Sequence, residues 1–125
     1  MAKLQELLQK ELETFQKLQK DLAKLVTGRQ QLDAQFNENK IVKEELDILE
    51  DGSNVYKLIG PVLVKQDHSE AKINVQKRMD YITGELDRHE KAIKDLQSKQ
   101  ETSKSSLNSL QQQYQSFLMK QQGKN

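Results

Sequence analysis

Residues 55–66 read Val55-Tyr56-Lys57-Leu58-Ile59-Gly60-Pro61-Val62-Leu63-Val64-Lys65-Gln66. This stretch contains the only proline of the chain, and its apolar, largely β-branched residues are typical of strands. Gly60 and Pro61 suit the two turn positions of a β-hairpin, because glycine accepts a positive φ at the first position and proline has a compatible φ at the second. The stretch therefore predicts a two-stranded hairpin.

The predicted pairing gives the hairpin two apolar faces. The residues paired across the turn are Lys57 with Val64, Leu58 with Leu63, and Ile59 with Val62. One face then carries Lys57, Ile59, Val62 and Val64, and the other carries Tyr56, Leu58 and Leu63. Only one face can lie against the rest of the chain, and an isolated two-stranded hairpin is marginal in water. Its free edges favour pairing with strands of other chains, which a closed barrel would satisfy. A local hairpin folded onto its own helices is the alternative.

Heptad repeats flank the hairpin on both sides. Apolar residues recur at spacings of three and four, which places them on one helix face as the seam of a coiled coil. The first seam comprises Met1, Leu4, Leu8, Glu11, Phe15, Leu18, Leu22, Leu25, Arg29, Leu32, Phe36, Asn39, Lys43 and Leu46. The second comprises Val75, Met79, Ile82, Leu86, His89, Ile93, Leu96, Gln100, Ser103, Leu107, Leu110, Tyr114 and Phe117. The sustained seven-residue period predicts left-handed supercoiling.

We predict a mainly α fold, a long antiparallel two-helix coiled coil with one β-hairpin at the connecting end. The expected segments are an N-terminal helix over 1–51, the hairpin over 54–66, a C-terminal helix over 67–120 and a frayed tail over 121–125. Asp67 is the expected N-cap of the second helix. Folding the two arms about the hairpin apex sets Asn39 near Ile82.

The composition fits a narrow seam rather than a compact core. Of the 125 residues, 34% are hydrophobic and 31% are charged, with a formal net charge of +1. Interspersed charges argue against a nucleic-acid or membrane-surface partner, and no apolar run is long enough for a membrane span. The absence of cysteine and the polar, acidic N-terminal residues favour a cytoplasmic location.

The sequence offers no catalytic or metal-binding constellation. A calcium-loop alignment on Gly52 puts Leu49 at a ligand position and Leu58 where the bidentate glutamate belongs, so the motif fails. His68 and His89 would lie at different levels of one helix, which favours His89 as a polar seam residue. Phosphate-binding loops and nucleophile elbows are also missing. We expect no enzyme activity, no cofactor and no dependence on ATP.

The first helix is predicted to end in an acidic stretch over 44–51. Negative charge at a helix C-terminus opposes the macrodipole. Pairs of Lys40 with Glu44 and of Lys43 with Asp47 would offset this weakly. The stretch is either a solvated face or a contact for a basic surface on a neighbour.

Apolar residues also gather where the two termini are predicted to meet. Most belong to the seam, but Leu7, Leu118 and Met119 lie off it. Exposed, adaptable side chains there could bind other apolar surfaces non-specifically, although scattered surface hydrophobes are common. The candidate tip residues are Leu4, Leu7, Leu8, Tyr114, Phe117 and Leu118.

Several segments resemble the prefoldin family, and the layout of two arms around one hairpin resembles its β-type subunits in eukaryotes. The resembling segments are Gly28-Arg29-Gln30-Gln31-Leu32, Val42-Lys43-Glu44-Glu45-Leu46, Gly60-Pro61-Val62-Leu63-Val64-Lys65-Gln66 and Arg78-Met79-Asp80-Tyr81-Ile82. The resemblance covers nearly the whole chain and is most specific in and around the hairpin.

The resemblance implies one prefoldin β-type domain over 1–125 and a heterohexamer of two α-type and four β-type subunits. The hairpins would join an oligomeric β-barrel platform, and the coiled-coil tips would capture unfolded actin and tubulin for delivery to the cytosolic group II chaperonin without ATP. The implied assembly residues are Tyr56, Leu58, Ile59, Gly60, Pro61, Val62, Leu63 and Val64. A structural coiled-coil adaptor or tether without chaperone activity is the competing function.

Overall fold

The computed structural model describes residues 2–50 and 52–123. Helix α1 spans Ala2–Ile48 and helix α2 spans His68–Gly123, with strands β1 (Val55–Ile59) and β2 (Val62–Gln66) between them. The strands form one antiparallel hairpin. The predicted fold class is therefore confirmed. The seam residue Met1, Asp51 of the acidic stretch, and the tail residues Lys124 and Asn125 lie outside the described residues.

The helix ends differ from the predicted boundaries. Helix α1 ends at Ile48 instead of continuing to the predicted end at residue 51. Acidic side chains in its last turn interact unfavourably with the helix macrodipole, so further helical turns would be destabilised. Beyond it, Ser53 donates to the Glu50 carbonyl oxygen from its N–H at 3.1 Å and from its hydroxyl at 2.6 Å. The turn they close contains Gly52, whose φ of 87° is accessible to glycine. Helix α2 continues through residues 121–123 instead of fraying at 121, as the good helix propensity of glutamine allows.

Helix α2 begins at the predicted cap. The carbonyl oxygen of Asp67 accepts a hydrogen bond from the Ala71 N–H at 2.9 Å, the first bond of the helix. That bond places Asp67 at the N-cap position, just before His68.

The core is the narrow stripe that the heptads predict. Every described seam residue on both helices is buried or half-buried. The most enclosed apolar residues are Leu46, Ala71, Met79, Ile82 and Ile93. Polar side chains dominate the other helix faces, and over residues 2–50 and 52–123 neither helix has the apolar length that a bilayer crossing requires.

The chain divides into two compact units. One consists of Met1–Thr27 with Glu90–Asn125, and the other consists of Gly28–His89. Within each unit the two helices run antiparallel. In the first unit Gln5 bonds to Tyr114 and Glu11 bonds to Ser103. In the second unit Gly28 lies beside His89 and Leu46 bonds to His68. The hairpin belongs to the second unit and both chain ends belong to the first.

Near the hairpin, Asn39 of α1 lines a groove together with Val75 and Arg78 of α2. Ile82, its expected neighbour, is buried in the seam and does not reach that open surface. The connections on the two sides of the hairpin are unequal, since residues 49–54 separate α1 from β1, whereas Asp67 alone separates β2 from α2.

Candidate functional site

The hairpin forms in the predicted register. The opposed residues are Val55 and Gln66, Tyr56 and Lys65, Lys57 and Val64, Leu58 and Leu63, and Ile59 and Val62. Gly60 has a φ of 58°, which a residue with a Cβ rarely adopts. Because Pro61 cannot take a positive φ, the pair fits a type II′ turn, whose twist matches that of the strands.

Both faces of the hairpin expose apolar side chains. Leu58 and Leu63 are 67% and 64% exposed on one face, and Ile59 and Val62 are 55% and 56% exposed on the other. Fully burying a side chain of this size stabilises a protein by about 1.5–3 kcal/mol. The chain alone leaves most of that stabilisation unused and leaves the strand edges unpaired. This geometry suits strand pairing and apolar contact with further subunits.

An open groove of about 320 Å³ lies between the hairpin and the helices that support it. Tyr56 and Leu58 line its hairpin side, and Val42 and Leu46 line its helical side. The sequence predicted that at most one face of the hairpin could pack against the helices of its own chain. In the structure Tyr56 and Leu58 remain exposed across the groove, so neither face is sealed.

Beside the hairpin, His68 links the start of α2 to the end of α1. Its buried ring donates from Nε2 to the carbonyl oxygen of Leu46 at 2.6 Å. That carbonyl lies in the last turn of α1, where intrahelical partners run out. Sequence reasoning considered His68 only as a metal ligand and missed this role. The sequence did contain a signal for this role, because His68 directly follows the predicted N-cap of α2 and therefore lies close to the end of the first helix.

An ion pair joins the two helices at the same level. Lys72 Nζ lies 3.6 Å from Asp47 Oδ1. The predicted partner of Asp47 was Lys43, one turn earlier on its own helix. That prediction is wrong, because Asp47 turns toward the cation that α2 brings across the helix pair.

His89 occupies its predicted seam position. Its Nδ1 donates to the Glu85 carbonyl oxygen at 3.0 Å, and a Cβ at Gly28 would lie 3.1 Å from its Nε2. Both histidines thus contribute to contacts between α1 and α2. Within the described residues no group of three or more His, Cys, Asp or Glu side chains could hold a metal ion.

A polar pair interrupts the seam in the unit that carries the chain ends. The buried Ser103 hydroxyl donates to Glu11 Oε1 at 2.7 Å. Both residues stood out in the sequence as breaks in the apolar seam. A polar side chain buried in a coiled-coil seam costs stability in any helix alignment that leaves it without a hydrogen-bond partner. The Ser103–Glu11 bond therefore favours the observed alignment of the two helices.

The tip candidates separate into seam residues and exposed residues, as predicted. Leu4, Leu8, Tyr114 and Phe117 are half-buried. Leu4 and Phe117 line one shallow groove, while Leu8 and Tyr114 line another. The exposed side chains are Leu7, Leu118 and Met119, with exposures of 48%, 37% and 72%. The structure thus brings described residues near the two chain ends together, and it places the tip candidates in a different unit from the hairpin.

An antiparallel helix pair joined through an exposed β-hairpin defines a distinct class of coiled-coil protein. The crystal structure of the prefoldin beta subunit from Thermococcus strain KS-1 matches this chain with a TM-score of 0.75. The match covers 82% of this chain and 90% of that one at 24% sequence identity, so it shows the fold.

Sequence comparison then identifies the family. The family model for the prefoldin subunit matches residues 9–114. Prefoldin subunit 6 of Homo sapiens is 55% identical over 117 residues, which cover 92% of this chain and 90% of the relative. Prefoldin subunit 6 of Arabidopsis thaliana is 46% identical over 101 residues, covering 81% and 78%. The chain belongs to the prefoldin subunit family, and its resemblance to a β-type subunit, and to eukaryotic prefoldin subunit 6 in particular, is confirmed. Membership supports a co-chaperone role in a prefoldin complex.

Proposed function

We propose that this chain is a non-catalytic, ATP-independent co-chaperone subunit of a cytoplasmic prefoldin heterohexamer with two α-type and four β-type subunits. It captures unfolded actin and tubulin at the ends of its coiled coil and passes them to the cytosolic group II chaperonin. The observation that carries the proposal is a hairpin with apolar side chains exposed on both faces in a chain of the prefoldin family.

The hairpin supports assembly through strand pairing. Its edges present unpaired backbone groups, and each face holds apolar side chains that the chain itself does not cover. Pairing with equivalent strands of other subunits and closing them into a barrel satisfies both features at once. The proposed assembly residues are Tyr56, Leu58, Ile59, Gly60, Pro61, Val62, Leu63 and Val64.

The paired chain ends support capture of unfolded chains. Leu7, Leu118 and Met119 are exposed beside two shallow grooves, so an apolar segment of a client can contact them without a preformed pocket. Such a contact is weak and unspecific by itself. Several tips in one complex hold the same client at a high effective concentration, which gives useful avidity while each tip releases readily.

Light scattering by actin diluted from denaturant tests capture. A complex reconstituted with this chain and its α- and β-type partners should suppress scattering without nucleotide. Replacing Leu7 and Leu118 by serine should weaken suppression by about two- to threefold, because one tip of several is lost. The matched control is Val26→Ser, which also changes an exposed apolar residue but lies away from the chain ends.

Two results would contradict the proposal. A wild-type complex that leaves actin scattering unchanged would favour a tether without chaperone activity. Equal suppression by the Leu7→Ser/Leu118→Ser complex and the wild-type complex would remove the tip assignment while leaving the co-chaperone role intact.

A further inference from the structure

Large apolar side chains are exposed off the seam next to the hairpin, but not in the adjoining helical segments 28–40 and 82–117. Over residues 28–40 of α1 and 82–117 of α2, every Leu, Ile, Val, Met, Phe and Tyr side chain is buried or half-buried. Near the hairpin the pattern changes. The exposed apolar residues of the helices and of the residue following α1 there are Ile41, Val42, Ile48, Leu49, Ile73 and Tyr81.

Ile41 and Ile48 are the most unusual of this group. They are 56% and 81% exposed, seven residues apart, and therefore on one line along α1. Each follows a seam residue, Asn39 or Leu46, by two positions, which is about 200° around the helix. They point away from α2, where neither the seam nor the hairpin groove can cover them. Isoleucine has a lower helix propensity than a polar residue such as glutamine, so helix formation does not explain the choice.

Two carboxylates lie between these isoleucines. Glu44 and Glu45 are exposed, and within the described residues neither has an ion pair in the chain. We call the set Ile41, Glu44, Glu45 and Ile48 the outer stripe. Its chemistry is an apolar contact at each end with negative charge between them, which complements an apolar surface bordered by lysine or arginine.

The size of the hairpin indicates what covers the outer stripe. Each of its strands has five residues, whereas a stable protein interface uses roughly 20–30 residues on each side. Assembly through the hairpin therefore needs additional surface. The outer stripe lies in the same unit, at the end of α1 that leads into the hairpin. Val42, next to Ile41 in the sequence, lines the open groove whose hairpin side includes Tyr56, so the outer stripe borders the hairpin surface.

We propose that the outer stripe is a second contact surface for a neighbouring prefoldin subunit, which meets it with apolar side chains bordered by basic residues. This inference rests on the proposed function and extends the assembly surface from the hairpin onto α1.

Titration of assembly with α- and β-type partner subunits tests the inference. The variant Ile41→Gln/Ile48→Gln retains good helix formers at exposed positions, so the chain should fold as before. We expect the concentration of half-assembly to rise by about tenfold or more, since two apolar contacts are lost. The matched control Leu12→Gln/Val26→Gln removes two exposed apolar residues from the other unit and should assemble like the wild type. Glu44→Lys/Glu45→Lys should also weaken assembly, most strongly at low salt.

A photo-crosslinking residue at position 48 identifies the occupant directly. A crosslink from the assembled wild-type background to a partner subunit supports the inference even if the double glutamine variant folds poorly. Crosslinks to client alone, or to no protein, overturn it. If Ile41→Gln/Ile48→Gln assembles at the wild-type concentration, the outer stripe is not a contact surface, although assembly through the hairpin stands. If the wild-type chain does not assemble at all, the proposed function fails and so does this inference.

Discussion

At the scale of single residues, two glycines interrupt the helices in different surroundings. Glycine inside a helix costs on the order of 1 kcal/mol relative to alanine. A Cβ at Gly84 would meet only the guanidinium of Arg88 at 3.5 Å, the end of a flexible side chain. A Cβ at Gly28 would lie 3.1 Å from Nε2 of His89, whose ring is held by its bond to the Glu85 carbonyl. Only Gly28 has a packing reason to be glycine.

Alanine substitutions separate the two cases. Gly84→Ala should raise the free energy of unfolding by about 1 kcal/mol. Gly28→Ala should raise the free energy of unfolding by clearly less than this, or lower it, because the His89 ring must shift to admit the methyl group. Urea unfolding of each chain, followed by circular dichroism at 222 nm, measures the difference. Equal gains from both substitutions would argue against the close approach of Gly28 and His89.

The sequence predicts which residues face inward better than it predicts their partners. The heptad spacing identifies the seam because burial depends on position around one helix. The bonds of His68 with Leu46 and of Asp47 with Lys72 depend on the level at which two helices meet. That level depends on the connections on either side of the hairpin, which carry no periodic signal.

At the scale of secondary structure, the hairpin is the element that the sequence determines most completely. The Gly60-Pro61 pair fixes a two-residue turn, and the turn fixes every opposed pair along β1 and β2. The helix ends are less predictable because residues 49–54 contain no strong stop close to Ile48. There the bonds from Ser53 to the Glu50 carbonyl form a local turn instead of another turn of helix.

Charged substitutions on the hairpin should leave the helices intact. Leu58 and Val64 are both exposed in the single chain, so Leu58→Asp and Val64→Asp remove little internal packing. Far-ultraviolet circular dichroism should give the same helical content for both variants as for the wild type. Asn54→Asp, an exposed position next to β1, controls for added charge. Loss of helical signal in the hairpin variants alone would mean that the hairpin stabilises its own helices, as the local-hairpin alternative requires.

At the scale of the whole molecule, the proposed assembly surface and the candidate client-binding tips lie in different units. The hairpin and the outer stripe lie in the unit Gly28–His89, and the tip candidates lie in the unit that holds both chain ends. Sequence analysis identified the hairpin from its two apolar faces and the tip candidates from apolar residues, both on and off the seam, near the two chain ends. It named the acidic stretch over 44–51 as a possible contact for a neighbour but did not single out Ile41 and Ile48. An exposed isoleucine is unremarkable until the structure shows that neighbouring parts of both helices expose no large apolar side chain.

Native mass spectrometry of the chain mixed with α- and β-type prefoldin subunits tests most directly whether the hairpin is an assembly device. We predict that the wild-type chain enters a hexamer and that the Leu58→Asp chain, with its helices intact, stays outside it. The Asn54→Asp chain should assemble like the wild type. A wild-type chain that remains free, or a Leu58→Asp chain that enters the hexamer as efficiently as the wild type, would contradict the account.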